Sequence, residues 1–334
     1  MAETLLKVSG LRTHFFTEAG IVKAVDGISF SLKKGESLGI VGESGSGKTV
    51  TALSILRIVP KPGRIIGGEI EFEGENLLEK SEKDMQAIRG SKIAIIFQDP
   101  SSSLNPVYTV ETQLKDVLLA HEKMSKEECR KRIIEQLSLV GIPDAETRMR
   151  EYPHQFSGGM KQRVAIARAL ALEPTLLIAD EPTTALDVTI QVQVLVLLND
   201  LKAKLGMSLI MITHDMGIIA NMTTRVVVLY AGNVCEIAKT VDLYEHPMHP
   251  YTEALLAAVP RLDRRKILTV IPGNIPNLIQ PPSGCHFHPR CKYAKKTCED
   301  TIPALEEVGP DHYVACYEWN NITLKGESDN IRRR

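Results

Sequence analysis

The chain has 334 residues, of which 43% are hydrophobic and 24% charged, and its formal net charge is −1. This length predicts one large domain with a smaller appendage, and the composition is that of a globular protein. The balance of 40 basic and 41 acidic residues argues against a protein whose main work is coating nucleic acid, which would show a basic excess.

The first forty residues alternate short apolar runs with turns. These runs predict strands of a small antiparallel sheet leading into a buried strand, at residues 5–8, 22–25, 28–32 and 37–41. A helix is predicted at 48–58, and further strands at 70–72 and 93–97. The charge-rich segment 110–151 has helical spacing and predicts a helical insertion with a polar face.

Helices and strands then alternate, as in a parallel sheet with helices on both faces. The pattern predicts helices at 159–172 and 190–205 and strands at 176–179 and 208–213. Prolines cluster from Pro247 onward, where the periodicity fades. We therefore expect two parts, with the following bounds: a domain at 1–246, its helical subdomain at about 105–165, and a C-terminal extension at 247–334.

The N-terminus and the apolar runs predict a chain that is neither exported nor inserted in a membrane. An acid at Glu3 and the lack of a long apolar core are not typical of a secretory signal. No stretch approaches the roughly 18 apolar residues that cross a bilayer. We expect a cytosolic chain that reaches a membrane through a partner and whose six cysteines form no disulfides.

Residues 42–49 fit the pattern G-x-x-x-x-G-K-[ST] between a predicted strand and a predicted helix. Such a loop lets backbone N–H groups point into one concavity at a helix N-terminus, which suits a polyphosphate. Lys48 is expected to reach the β- and γ-phosphates, and Thr49 to ligate Mg²⁺. The predicted nucleotide site comprises Gly42, Glu43, Ser44, Gly45, Ser46, Gly47, Lys48 and Thr49.

Polar residues follow three of the later predicted strands. One strand ends in Asp180, which we expect to hold Mg²⁺ through water, and Glu181, which we expect to polarise the attacking water. Gln98 follows another strand and can offer an oxygen to the metal, and His214 follows a third, within reach of a γ-phosphate. Strand ends are the usual ligand edge of an open parallel sheet.

The sequence Phe-Ser-Gly-Gly-Met-Lys-Gln-Arg at 156–163 resembles the signature of the ABC transporter ATPase family. Residues 5–240 carry the family's motifs in order, namely the phosphate loop, a Q-loop glutamine (Gln98), the signature (157–161), the acidic strand (176–181), a D-loop (185–187) and a switch histidine (His214). The resemblance implies an α/β fold, the ABC-type P-loop NTPase, with a parallel core sheet, an antiparallel β subdomain and a helical subdomain. A small, irregular, cysteine-rich extension would follow.

Ser157-Gly-Gly opens a predicted helix and so forms a second anion site with a hydroxyl and bare N–H groups. One domain cannot easily use two phosphate sites on one ATP, whereas two domains placed head to tail can. The resemblance implies that Ser157, Gly158 and Gly159 act in trans, so that ATP closes a dimer and hydrolysis releases it. It also implies that Phe15, or alternatively Phe16, stacks on adenine.

Three further segments look like the dipeptide and oligopeptide importer branch, FQDPSSSLNP at 97–106, YPHQFS at 152–157 and EHPMHPYT at 245–252. This closer resemblance extends to about Trp319. It implies a peripheral subunit at the cytoplasmic face of the membrane, paired with a similar but distinct ATPase beneath two permeases and served by an extracytoplasmic peptide-binding protein. No nucleic-acid partner is expected, and nickel or another small solute stays open as the cargo.

Four cysteines lie in the extension, Cys285, Cys291, Cys298 and Cys316, whereas Cys129 and Cys235 have the settings of packing residues. Four thiolates in a Pro-rich segment that cannot build much core suggest a structural metal centre. The spacing lacks the C-x₂-C pair of zinc fingers. It is similar to the tail of the oligopeptide and dipeptide subunits, which implies a [4Fe–4S] cluster, with Zn²⁺ as the alternative. Three histidines are alternative ligands: His286, His288 and His312.

Two other classes of protein are less well matched. Soluble ABC ATPases of translation carry two cassettes in one chain, and those of DNA repair carry a long coiled coil between the Q-loop and the signature. This chain has no internal repeat and only a compact helical insertion there. A small P-loop kinase would need neither the signature nor the D-loop. The sequence thus predicts an ATPase that powers an importer.

Overall fold

The computed structural model describes residues 3–184, 186–259 and 271–322. In chain order its strands are β1 (Thr4–Thr17), β2 (Gly20–Lys33), β3 (Ser37–Val41), β4 (Gly63–Phe72), β5 (Glu75–Asn76), β6 (Ile93–Ile96), β7 (Leu176–Asp180), β8 (Ser208–Thr213), β9 (Arg225–Tyr230), β10 (Asn233–Lys239), β11 (Glu306–Gly309) and β12 (His312–Val314).

The α-helices, again in chain order, are α1 (Lys48–Ile55), α2 (Glu82–Ile88), α3 (Pro100–Ser103), α4 (Val110–His121), α5 (Lys126–Leu139), α6 (Ala145–Arg148), α7 (Gly158–Leu170), α8 (Val188–Leu205), α9 (Met216–Met222), α10 (Thr240–Glu245), α11 (Pro250–Ala257) and α12 (Lys296–Asp300). None of the helices in the described ranges is long and apolar enough to span a membrane.

The chain divides into two compact units. The first comprises residues 1–79 together with 211–334, and the second comprises residues 80–210. Strand β8 carries the chain from the second unit back into the first.

One sheet of the first unit is antiparallel, with the strand order β2-β1-β4-β5. It confirms the predicted antiparallel subdomain. The runs 22–25 and 28–32, predicted as two strands, form the single strand β2. Between Val8 and Leu11 the register of β1 against β2 shifts, and Gly10 takes a φ of +57° there. Irregularities of this kind let a long strand bend without ending.

The strands of a second, larger sheet that lie wholly in the first unit have the order β11-β12-β10-β9-β3. Strand β3 runs parallel to β9, with Ile40 opposite Val227, and both strands are buried throughout. The other neighbours pair in antiparallel fashion. Strands β11 and β12 come from the segment after residue 246, which we expected to be irregular. Its pairing with β10 explains the difference, because a short strand with weak periodicity is stabilised by an existing sheet edge.

The second unit contains the parallel pair β6 and β7, with Ile95 opposite Ile178. Helices α4, α5 and α6 form within the segment 110–151, which confirms the predicted helical insertion. Helices α4, α5 and α7 contact one another, and the side chains buried on them include Leu114, Leu118, Ile133, Leu137 and Val164. Helices α7 and α8 begin and end close to their predicted bounds.

Candidate active site

The phosphate loop lies in the first unit between β3 and α1, which begins at Lys48. Its backbone has a φ of +153° at Gly42 and of +103° at Gly47. A Cβ atom at Gly42 would lie 2.1 Å from the backbone oxygen of Leu229, and one at Gly47 would lie 2.5 Å from that of Ala24. Only glycine fits at these positions, because a side chain would meet neighbouring backbone.

Lys48 lies beneath the loop and is 6% exposed. Its Nζ donates to the backbone oxygens of Gly42 at 2.7 Å and Glu43 at 3.0 Å. Ser44, at the tip of the loop, and Thr49, in the first turn of α1, are exposed. The loop therefore presents accessible backbone above a buried cation, an arrangement that can receive a polyphosphate.

Two further predicted site residues lie in the first unit. His214 directly follows β8, is exposed, and precedes Asp215, which caps α9. Phe15 lies in β1 and is half-buried. Its neighbour Phe16 is 42% exposed and lies under the guanidinium of Arg64, at 5.6 Å from the ring centroid. A stacking role for either phenylalanine stays a prediction.

The second unit brings the predicted glutamine and the predicted catalytic carboxylate into contact. Asp180 ends β7 and is buried, and Glu181 follows with a φ of +46°. Nε2 of Gln98 donates to Oε2 of Glu181 at 2.8 Å, and the hydroxyl of Thr184 donates to the same oxygen at 3.0 Å. Left-handed backbone is uncommon for glutamate, and such strain concentrates at functional sites.

The signature opens a helix, as the sequence predicts. Ser157 is the N-cap of α7, where its Oγ accepts the N–H of Met160 at 3.3 Å, and Ser157 and Gly158 are exposed. A Cβ atom at Gly159 would lie 2.6 Å from Cγ2 of Ile190, so glycine lets the first turns of α7 and α8 approach. Ser157 and the two glycines after it therefore place a hydroxyl and backbone N–H groups at the N-terminus of α7, on the second unit.

The predicted residues are thus divided between the units. The phosphate loop and His214 belong to the first, whereas Gln98, Asp180, Glu181 and the signature belong to the second. In the predicted D-loop, Asp187 caps α8 by accepting the N–H of Ile190 at 3.0 Å. Ala185 lies outside the described residues.

Glu43 makes two contacts that the motifs do not reveal. Its N–H donates to the hydroxyl of Tyr251 at 2.8 Å, and its carboxylate accepts from Arg290 at 2.6 and 3.1 Å. Burial lowers the pKa of Arg290, but the bonds to Glu43 and Tyr230 outweigh it and leave the pKa raised. Glu43 and Arg290 are 247 positions apart in the chain, so no local pattern links them.

The four C-terminal cysteines line one cavity of the first unit. Its volume is about 350 Å³, including the space at its mouth. The residues that line it include Cys285, Cys291, Cys298, Cys316, Phe287 and His288. As predicted, Cys129 and Cys235 are instead buried packing residues, in α5 and β10.

The cavity thiols are partly or fully withdrawn from water. Burial raises the pKa of Cys285 to about 11 and that of Cys316 to about 12, and the neighbouring thiols act in the same direction. At Cys285, Cys291 and Cys316 the backbone N–H two residues further on bonds the sulfur and opposes this rise. Burial outweighs these bonds, so the pKa of each of the three thiols stays above its ordinary value.

The structure does not confirm the predicted metal centre, either as a cluster or as zinc. Within the described ranges, no group of three or more His, Cys, Asp or Glu side chains can hold a metal ion. Of the alternative ligands, His288 lines the cavity. His286 bonds Asn233 and the backbone oxygen of Ala231, and His312 bonds Glu236 at 2.7 Å.

Comparison with known families finds two matches along the chain. Residues 25–184 match the ABC transporter family, and residues 235–298 match the C-terminal region of oligopeptide/dipeptide transporters. The second match includes Tyr251 and Arg290 together with Cys285, Cys291 and Cys298.

Individual relatives match almost end to end. A probable peptide ABC transporter ATP-binding protein of Sinorhizobium fredii is 50% identical, over 96% of this chain and 97% of its own length. The oligopeptide transport ATP-binding protein OppD of Bacillus subtilis is 51% identical, over 93% and 87%. The dipeptide transport ATP-binding protein DppD of the same species is 49% identical, over 94% and 95%.

Solved structures match the ATP-binding part. A dimeric ATP-binding cassette in a post-hydrolysis state, bound to ADP and Pi, has a TM-score of 0.63 and 30% identity, over 70% of this chain and 98% of its own. The cbiO1 protein of Clostridium perfringens, part of the ABC transporter complex cbiONQ, has a TM-score of 0.62 and 30% identity, over 72% and 91%.

Proposed function

This chain belongs to the ABC transporter ATPases, in the branch of the oligopeptide and dipeptide transport ATP-binding proteins, and from this membership we propose that it hydrolyses ATP to drive peptide import. The end-to-end match with peptide-transport relatives supports the cargo class. The observation that carries the hydrolytic role is the contact between Gln98 and Glu181. The contact places the carboxylate of Glu181 next to Gln98, a residue that is suited to bind the metal ion of the nucleotide.

Binding begins at the phosphate loop. The exposed N–H groups at its tip receive the phosphates, and Lys48 supplies a positive charge from beneath. Three oxygen-bearing residues suit Mg²⁺, namely Thr49, Gln98 and Asp180, and the ion when bound would neutralise charge on the phosphates. Phe15 stacks on the adenine.

Hydrolysis needs a water molecule that loses a proton as it attacks the γ-phosphate. Glu181 takes up that proton as general base, a contribution of about 10²–10⁴ in rate. Gln98 and Thr184 both donate to one oxygen of this carboxylate and so fix its orientation. His214 contacts the γ-phosphate.

The exposed signature supports a head-to-tail dimer. Ser157, Gly158 and Gly159 of one chain would bind the γ-phosphate held by the phosphate loop of the other, and the solved cassette in the post-hydrolysis state is a dimer. The second chain is a similar but distinct ATPase. The pair lies at the cytoplasmic face of the membrane beneath two permeases, which receive peptide from an extracytoplasmic binding protein.

We propose that the cysteine cavity holds a [4Fe–4S] cluster, with Zn²⁺ as the alternative. In such a cluster each of the four thiolates would bind a different iron, and the four cysteines line one cavity. Cys285, Cys291, Cys298 and Cys316 would hold it, and its role is to fasten the extension.

Uptake assays in the source organism test the proposal. Deleting the gene should abolish uptake of a labelled di- or tripeptide and leave uptake of labelled nickel unchanged, and the wild-type gene should restore it. Restoration by Glu181→Gln would remove the hydrolytic role from the proposal. Loss of nickel uptake with normal peptide uptake would make nickel the cargo.

A further inference from the structure

The C-terminal segment binds the phosphate loop at its second residue, Glu43. Tyr251 accepts the backbone N–H of Glu43, and the guanidinium of Arg290 binds both carboxylate oxygens. The side chain of Arg290 is 5% exposed and that of Glu43 is 25% exposed. A bidentate, charge-assisted pair of this kind fixes the relative position of its two partners more closely than an exposed ion pair does.

Arg290 itself is fixed by several neighbours. Its Nε donates to the backbone oxygen of Pro272 at 2.8 Å, and its Nη1 donates to the hydroxyl of Tyr230 at 3.2 Å. The guanidinium also lies over the Tyr230 ring, at 5.7 Å from the centroid. The rings of Tyr230, Tyr251 and Phe287 contact one another with centroids 4.6 to 5.2 Å apart. The group that binds Glu43 is therefore part of a rigid cluster.

The residue that this cluster binds is central to the phosphate loop. The backbone oxygen of Glu43 accepts from Lys48, the cation of the loop, and also accepts the N–H of Ser46 at 3.2 Å. Because Glu43 is held at both its N–H and its carboxylate, the position of its backbone oxygen, which accepts from Lys48 and Ser46, is restricted. A loop that is ordered before the ligand arrives loses less entropy on binding it.

We propose that Arg290 and Tyr251 are positioning residues for the phosphate loop, and that the cysteine-bearing segment sets the nucleotide affinity through them. Arg290 directly precedes Cys291, and its N–H donates to the backbone oxygen of Phe287, which lines the cysteine cavity. A displacement of the backbone at Cys291 or Phe287 would therefore move Arg290, and with it the group that binds Glu43. The inference rests on one part of the proposed function, namely that the phosphate loop binds a nucleotide.

Equilibrium binding of a fluorescent ATP analogue to the purified full-length chain tests this. Arg290→Met should weaken binding about tenfold, the effect of losing one charge-assisted contact. The KM for ATP should rise by a similar factor while kcat changes little, and amide exchange at residues 43–47 should become faster. Lys292→Met is the matched control, because Lys292 pairs with Glu253 in the same segment and not with the loop.

Two more variants keep the test decisive if Arg290→Met does not fold. Tyr251→Phe removes one hydroxyl, and Glu43→Gln keeps the shape of the side chain, and each should weaken binding in the same direction. Equal losses in Lys292→Met and Arg290→Met, or unchanged affinity in all three loop-contacting variants, would overturn the inference. Those results would not contradict the proposed function. Unchanged peptide uptake after gene deletion would contradict the proposed function but not the role of Arg290 and Tyr251.

Discussion

At the scale of single residues, the orientation of one carboxylate is central to the proposed chemistry. The left-handed backbone of Glu181 turns the chain immediately after β7, and Gln98 and Thr184 then fix its Oε2. Local strain of this kind persists only where the surroundings over-determine it. Glu173 has a similar backbone, so what sets Glu181 apart is the pair of donors on its carboxylate and not its φ alone.

Glu181→Gln should leave nucleotide binding intact and lower ATP hydrolysis at least about 100-fold, because an amide cannot take a proton from water. Phosphate release and equilibrium nucleotide binding measure the two effects. Glu173→Gln is the control, since Glu173 is an exposed glutamate of the same unit with a similar φ of +52°. A variant that turns over ATP at the wild-type rate would show that another group is the base.

The positions of the candidate site residues were predictable where a short sequence motif specifies the local backbone. The sequence placed Gly42, Lys48, Asp180 and Ser157 correctly at strand and helix ends, because loop and cap geometry is encoded within a few residues. The pair of Glu43 with Arg290 was not predictable. It joins positions 247 apart, and neither residue carries a distinguishing neighbour pattern.

At the scale of elements, α7 has an N-terminus that serves both stability and function. Ser157 caps α7, and Ser125 caps α5 in the same unit with the same geometry, accepting the N–H of Glu128 at 3.1 Å. Replacing either cap by alanine removes one hydrogen bond to a helix-end N–H. Comparing alanine variants of the two serines therefore distinguishes the loss of a helix cap, common to both, from the loss of a functional hydroxyl, expected only at Ser157.

Ser157→Ala and Ser125→Ala should each lower the free energy of unfolding by about 1 kcal/mol. Only Ser157→Ala should also lower ATP turnover, because its hydroxyl is proposed to bind the partner's γ-phosphate. Denaturant unfolding and phosphate release measured on both variants decide this. Equal turnover in the two would reduce Ser157 to a helix cap.

The extension is the element whose cofactor remains a proposal. Cys298→Ser should remove iron, bleach absorbance near 400 nm in anaerobically purified protein and make the extension more sensitive to protease. Cys129→Ser, at a buried cysteine of α5, should keep both iron and colour. Unchanged iron in Cys298→Ser would exclude this thiol as a ligand, and one zinc per wild-type chain without colour would exclude the cluster.

Elements with strong periodicity were predictable, and those stabilised by distant pairing were not. The helical insertion and strands β7 and β8 form where hydrophobic spacing indicated. Strand β12 covers only residues 312–314, and it forms because β10 offers a pairing edge, with Val314 opposite Glu236. Three residues cannot show a period, so only the tertiary partner specifies such a strand.

At the scale of the whole molecule, each chain carries one phosphate loop and one signature, in different units. Both lie at helix N-termini, where anions bind favourably, and the signature is exposed in the second unit. A single ATP between two chains would use a loop from one and a signature from the other. Association should therefore depend on the γ-phosphate and not on the protein surfaces alone.

Glu181→Gln mixed with the second ATPase should therefore form a dimer in Mg-ATP, and in Mg-ADP the two chains should remain monomers, as measured by light scattering during size exclusion. The double variant that carries both Glu181→Gln and Lys48→Ala should not form the dimer, because its phosphate loop lacks the lysine cation. A dimer that forms without nucleotide would contradict a γ-phosphate bridge. A dimer that forms in Mg-ATP without the second ATPase would show that the signature of this chain serves a second copy of the same chain.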